Sequence, residues 1–193
     1  SETSHLLLFG YGPHEFPGRG LLEASAAGLP FDDEDVLCLA HLFHADPDEE
    51  GGPLICREVW KRLVAGEDEL GSLYEVLTPF QAHGIAFRLH RVRGNEGILA
   101  LSGPVSPFVS DADPMARGRP MARVVPLEPN PEPANADRTA RALNRFLAHG
   151  RRRLTSHPVN RDREAVGRPP LNFLATQRCG RRLRVEPFRE RWG

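Results

Sequence analysis

Long apolar runs are missing from this sequence: none approaches the roughly 20 residues needed to cross a bilayer, so no membrane partner is expected. Nor is there a basic segment ahead of the short apolar run in SETSHLLLFG, so no signal peptide is read. Cysteine is scarce, with Cys38, Cys56 and Cys179 far apart and no C-x-x-C. That pattern predicts free thiols in a reducing cytoplasm and argues against a disulfide framework or a zinc site. Lysine is almost absent, Lys61 standing against 24 arginines, a skew that reads as codon usage. Aromatic residues make up only 7% and are not interleaved with the arginines, as a binder of single-stranded nucleic acid would require.

What remains is the composition of a soluble globular chain, 193 residues with 40% hydrophobic and 26% charged side chains. That length suffices for one domain, or for one domain and a piece of another, without disulfide staples. The net charge of −1 hides an asymmetry. Residues 1–137 carry 10 basic and 22 acidic side chains, whereas residues 138–193 carry 15 arginines and 4 acids. An Arg-rich tail raises the question of nucleic acid. Neutralisation of one half by the other across a fold is the reading preferred here, with no nucleic-acid partner.

The pattern of elements is α+β. A small-residue helix is read around Leu21–Ala27, with Gly28 closing it. Val36–Phe43 is a mostly apolar run and reads as a buried strand. Residues 53–68 are ambiguous. Leu70, Leu73, Tyr74, Leu77 and Phe80 share one helical face, which Pro79 should end or kink. Ile85, Phe87 and Leu89 alternate with polar or small residues, and Ile98–Leu101 returns after the RGNEG turn as a hairpin partner. Ala122–Val125 is a weaker strand candidate. Asn135 reads as the cap of a helix lined by Ala140, Leu143, Leu147 and Leu154 and stopped by Pro158. RDREAVGRPP reads as a loop and Leu171–Thr176 as a last buried strand. The sum is a small antiparallel or mixed sheet with helices packed on one side. Residues 1–30 look like an appendage too small to fold alone.

Four segments carry polar groups with chemical potential. Ser1-Glu2-Thr3-Ser4-His5 sets hydroxyls near an imidazole. His41, His44 and Asp46 have metal-ligand chemistry, but a strand turns residues three apart to opposite faces. Asp111 and Asp113, two apart in a loop, suit either a divalent cation or an Asx-turn with solvated acids. His157, Asn160 and Arg161 follow a helix end, where the arginine offers a planar fork for phosphate or simply decorates a helix stop.

Taken in order, these segments resemble the motifs of the archaeal-type, cofactor-independent phosphoglycerate mutases of the alkaline phosphatase superfamily. The family's S-D-T-A-H-L, L-F-G-Y-D-P and P-G-R-G stand here as SETSHLLLFGYGP and PGRG. Its S-D-T-D-P-H stands as Ser110-Asp111-Ala112-Asp113-Pro114-Met115, and its H-P-V-N-R-E-R as HPVNRDR. GRPPLNFLATQRCG takes the place of G-x-P-P-A-N-x-L-L-x-R-G-x-G, and the closing FRERWG looks like the family's return to its core.

The resemblance implies an isomerase of glycolysis that interconverts 3- and 2-phosphoglycerate through a phosphoserine. It implies Ser1 as nucleophile and metal ligand in an intact parent, and divalent manganese, magnesium or zinc ions held mostly by a core this chain does not carry. No metal is expected in this segment, and no activity from it alone. Residues 1–30 would be a stub of the phosphatase-like core, 31–182 an inserted cap domain, and 183–193 the return to the core. Arg19, Asp111, Asp113, His157, Asn160 and Arg161 would bind a phosphoglycerate-like small molecule, with the loops at 110–119 and 157–163 side by side. The sequence departs from the family at Leu39, where an arginine is usual, and at Ala112 and Met115, where threonine and histidine are usual. These departures leave open a divergent or inactive homologue that acts on another phosphorylated or phosphonated molecule, or serves as an interaction module.

Overall fold

The computed structural model describes residues 2–48 and 51–193. Its centre is a six-stranded antiparallel sheet: β1 (Val36–Pro47), β2 (Leu54–Glu58), β3 (Phe80–Ala82), β4 (Ile85–Arg93), β5 (Glu96–Ser102) and β6 (Phe173–Gly180). The long strand β1 is the hub. Its first part pairs with β5 and with β6, and its last four residues pair with β2. The helices are α1 (Glu2–Leu8), α2 (Arg19–Ala26), α3 (Glu67–Glu75), α4 (Pro133–Thr155), α5 (Pro158–Ala165) and α6 (Phe188–Trp192).

Strand periodicity divides β1 between two cores. Val36, Cys38, Ala40 and Leu42 point to the larger one, with Ile85 and Phe87 of β4, Leu99 and Leu101 of β5, and the apolar stripes of α3 and α4. Phe87 and Phe146 are both fully buried there and stack at 4.9 Å, each removing roughly 1.5–3 kcal/mol of apolar surface from water. Leu37 and Leu39 point the other way and, with Ile98 and Ala100, bury Leu21 and Ala24 of α2. The α+β antiparallel architecture therefore matches the expectation, but helices lie on both faces. Residues 19–26 are part of that packing, not an appendage.

Other differences are local. The stripe of α3 stops before Phe80, because the chain passes Pro79 and Phe80 opens β3. Pro133 occupies the first turn of α4, so the helix begins two residues before Asn135. Residues 122–125 form no strand; both backbone groups of Val124 are tied to the Asn144 amide, at 3.0 and 2.8 Å. The first half of RDREAVGRPP, read as a loop, belongs to α5, which has proline in its first turn and the His157 ring as its cap.

The cysteine expectation is corrected by topology. Antiparallel pairing of β1 with β6 brings Cys38 and Cys179 together as a disulfide across 141 residues, with Cα atoms 4.1 Å apart. Cys56 alone is free; burial, with Asp113 and Glu58 nearby, pushes its thiol pKa up. The two halves of the charge distribution also meet. Arg181 pairs with Glu34 and Glu132, Arg182 with Asp33 at 2.8 Å, and Arg191 with Glu15 at 2.8 Å. Among the described residues, no helix is long and apolar enough to cross a membrane.

Candidate functional site

The P-G-R-G segment explains itself once it is placed on the sheet. Gly18 takes a left-handed φ of 91°, and a Cβ there would come within 2.5 Å of the Gly180 Cα. A Cβ on Gly180 would strike the Pro17 carbonyl, and one on Gly20 would lie 2.6 Å from the Leu37 carbonyl carbon. Three absent side chains thus let the start of α2 rest directly on the backbones of β1 and β6. Arg19, between two of these glycines, is held at the sheet surface. It lines three adjoining depressions there. Its guanidinium reaches Glu23 one turn on, at 3.2 Å.

One depression, a cleft of about 190 Å³, is walled by Arg19, Trp60, Lys61, Asp113, Gln177 and Arg178. Beside it His41 stacks on Trp60 at 4.0 Å, and the Lys61 ammonium lies 5.3 Å from the indole ring centre. Gln177 Nε2 donates to Asp113 Oδ2 and contacts His41 Nδ1, both at 3.2 Å. Because the carboxylate fixes the NH₂ end of that amide, His41 Nδ1 must accept, which places the imidazole proton on Nε2. Burial drives the His41 pKa down to about 4; Glu96 opposes this, while Arg19 and Lys61 reinforce it. The ring is therefore a neutral, buried support for Trp60 and Gln177.

The two acids are partly structural. Asp113 Oδ1 accepts from the Met115 backbone N–H at 2.7 Å, an Asx-turn, and Asp111 Oδ1 accepts from the Arg178 N–H at 2.6 Å. Burial raises both carboxyl pKa values. The N–H donors to each oppose the rise, and at Asp113 the Asp111 charge adds to it. Among the described residues no group of three or more His, Cys, Asp or Glu side chains is placed to hold a metal ion, so no metal-assisted step is assigned to them.

Of the residues picked out by sequence, Arg19, Asp111 and Asp113 gather at this end of β6. Ser1 lies outside the described residues. His157, Asn160 and Arg161 lie elsewhere. Asn160, 1% exposed, donates to the carbonyls of Leu154 and Leu171 and accepts from the Leu171 N–H, which locks α4, α5 and the approach to β6 together. His157 Nδ1 accepts from Val159 N–H, and Arg161 is exposed on α5. Leu171 and Gln177 are six residues apart along extended chain, about 20 Å. Asp111 and Asp113 are thus bonded near Gln177 and Arg178, whereas Asn160 is bonded beside Leu171, ahead of β6, on a helix that packs against α3 and α4. Lys61, Trp60, His41, Gln177 and Arg178 are the cleft residues that sequence reasoning missed or gave another role. Only the solitary lysine offered a signal.

Comparison with known proteins gives a consistent result. A family model described as 2,3-bisphosphoglycerate-independent phosphoglycerate mutase matches residues 1–160. The protein of that name from Methanopyrus kandleri is 34% identical over 195 residues, taking in all of this chain and 45% of the relative. That from Pyrobaculum calidifontis is 33% identical over 198 residues, with 46% of the relative covered. The solved structure of a cofactor-independent phosphoglycerate mutase from Thermoplasma acidophilum superposes with a TM-score of 0.70 at 29% identity, over 97% of this chain and 49% of that one. The chain thus spans somewhat under half the length of the curated relatives it matches.

Proposed function

We infer that this chain, which belongs to the 2,3-bisphosphoglycerate-independent phosphoglycerate mutase family, supplies the part of such an enzyme that covers a bound phosphoglycerate and grips its anionic groups. The observation that carries this is the cleft itself. Arg19, from the P-G-R-G motif, meets Lys61 and the Asp111–Asp113 motif on one surface. A phosphoryl group and a carboxylate on a three-carbon acid need two cations at fixed separation. A helix start pressed onto a sheet is a rigid mount for one of them.

In this reading residues 31–182, with α2 packed on them, form the covering domain. The segments before residue 19 and from 183 to 193 form the stem leading to the remaining enzyme. That stem is supported by Phe9 packing edge-on against Phe188, by the Tyr11 hydroxyl donating to the Glu186 carbonyl, and by the Arg191–Glu15 pair. Closure of the cover would exclude water, which would otherwise hydrolyse a phosphoserine at Ser1, the position proposed from the resemblance of SETSHL to the family's motif. The covering domain holds glycerate while its phosphoryl group leaves one hydroxyl for the serine oxygen and returns to the other. Divalent ions, where the whole enzyme binds them, would serve to activate that serine.

The test is Arg19→Ala in the longer protein that contains this segment. The expected loss in kcat/KM is at least tenfold, about 1.4 kcal/mol, with the unfolding midpoint nearly unchanged. Wild-type kinetics would refute the assignment. Leu39 supports a second reading, in which the acid is not phosphoglycerate: it is packed in the second core and lines the neighbouring depression where the family pattern carries an arginine. Turnover of a different phosphorylated or phosphonated acid in preference to 3-phosphoglycerate would select it.

A further inference from the structure

We propose that Arg178 is an anion-binding residue of the Arg19–Lys61 cleft, presented to the ligand by a deliberately strained turn of backbone in β6. The proposal deepens the reading above and rests on it for the identity of the ligand, a small phosphorylated or carboxylated acid.

Arg178 has a φ of 52°, left-handed backbone that a residue with a side chain rarely adopts inside a strand. The β1–β6 register slips at this point: Leu37 faces Gly180, whereas Leu39 faces Gln177. β6 therefore carries an extra residue, a bulge, and a bulge re-aims a side chain. Every neighbour is clamped. Gln177 is bound by Asp113 and His41, Cys179 is bridged to Cys38, and Gly180 lies under Pro17. The Arg178 N–H itself is held by Asp111 Oδ1. So many constraints on one strained, exposed residue are the mark of a position kept for its side chain rather than for stability.

The surroundings of the guanidinium say what that side chain meets. It borders the cleft of Arg19 and Lys61 and also the adjoining depression lined by Arg19, Phe108 and Arg181. Its neighbours in sequence, Arg181 and Arg182, each have a carboxylate partner. Among the described residues Arg178 makes no salt bridge, and Asp111 and Asp113 feel its charge only through space. A planar, always-charged fork beside two other cations suits the oxygens of a phosphate or carboxylate.

The test is an NMR titration of the 193-residue chain with inorganic phosphate and, separately, with 3-phosphoglycerate. Backbone amides and arginine Nε–H groups report the binding. Both anions are expected to shift Arg178, Arg19 and Lys61 saturably. Arg178→Gly is the decisive variant, because glycine accepts the left-handed backbone. It is expected to raise the unfolding midpoint while weakening both anions at least tenfold, and Arg178→Lys is expected to restore part of the affinity. A merely structural arginine would not couple a stability gain to an affinity loss. Wild-type affinity in Arg178→Gly, with Arg19→Ala weakened, would overturn the proposal and leave the cleft assignment standing. Phosphate binding that depends on Arg178, with no binding of 3-phosphoglycerate, would sink the phosphoglycerate reading and leave the proposal standing. The absence of any saturable shift with either anion would overturn both.

Discussion

Two glycine-to-alanine changes, each inside a helix, should move stability in opposite directions. Gly20 is in the first turn of α2, and Gly71 is in the middle of α3. A Cβ at residue 71 meets nothing within 4 Å. Gly71→Ala should therefore yield the helix-propensity gain, up to about 1 kcal/mol, through a less flexible unfolded chain. A Cβ at residue 20 would sit 2.6 Å from the Leu37 carbonyl carbon and 3.0 Å from the Cys38 nitrogen. Carbon atoms pack at roughly 3.5–4.0 Å, so α2 must rise by about 1 Å. These neighbours are backbone atoms of the central strand and cannot rotate away. Overpacking of this kind costs roughly 1–3 kcal/mol, and the lift also loosens Leu21 and Ala24 against Leu37, Leu39, Ile98 and Ala100. Set against the propensity gain, the net loss for Gly20→Ala should be about 1–2 kcal/mol. In a chain of this size that is a fall in Tm of about 2–4 °C per kcal/mol. Urea denaturation of the two variants should place them about 2–3 kcal/mol apart, summing the opposed effects of the same substitution. Gly20→Ala should also weaken binding of 3-phosphoglycerate, since Arg19 moves with the helix. A Gly20→Ala protein as stable as Gly71→Ala would show that α2 does not rest on the sheet as described.

Three further outcomes follow from other parts of the molecule. Non-reducing alkylation and mass spectrometry should find only Cys56 unbridged, and Cys38→Ser with Cys179→Ser should cost roughly 2–5 kcal/mol by freeing a long loop in the unfolded chain; two additional reactive thiols in the untreated protein would contradict the bridge. His41 has a folded pKa of about 4 against 6.5 for the free side chain, so the unfolded state binds the proton first and stability falls as pH drops from 6.5 toward 4, by roughly 3 kcal/mol; His41→Gln should flatten that slope in pH-dependent unfolding, and an unchanged slope would refute the neutral-ring assignment. Asn160→Ala strands three buried backbone groups and should destabilise the chain by about 2–4 kcal/mol while leaving 3-phosphoglycerate affinity intact in the folded protein; a selective loss of affinity would return Asn160 to the site.

Much of the fold was legible because periodicity and local punctuation act over a few residues. The β4–β5 hairpin, the buried first half of β1 and the apolar stripes of α3 and α4 are all signals of that range. What escaped depends on partners distant in sequence. Val124 looked like a strand residue, but Asn144 on α4 takes both of its backbone groups. Pro158 looked like a stop and instead starts a new helix, since proline is tolerated in a first turn. The Cys38–Cys179 bridge was hidden by an odd count and 141 intervening residues, and only the β1–β6 pairing reveals it. Motif position pointed to Arg19, Asp111 and Asp113, which the fold brings to one end of β6. It grouped them with His157, Asn160 and Arg161, yet motif order carries no information about local bonding, and Asn160 turns out to hold the Leu154 and Leu171 backbones.

The arginines show why composition alone could not sort structure from site. Arg163 is 2% exposed and makes hydrogen bonds to the Pro169 and Val64 carbonyls and to Glu69. Arg168 shares its Glu69 and Val64 acceptors, but the Pro169 carbonyl is held by Arg163, so the role of Arg163 is in the joint between α5 and the start of α3. Arg191 is similarly occupied, by Glu15, Glu186 and the Gly10 carbonyl. In sequence these residues and Arg178 are equivalent members of one basic tail. In the fold, the first two have their donors directed at protein oxygens, whereas Arg178 is turned outward by a bulge beside Arg19 and Lys61. The Arg178 charge acts on the nearby Asp111 and Asp113 without forming a salt bridge, which leaves its planar fork open to an anion from solution under the proposal made above. The positive tail is thus divided by function. Arg141, Arg151, Arg163, Arg168, Arg181, Arg182 and Arg191 pair with acids of the first half, whereas Arg178 lines the cleft.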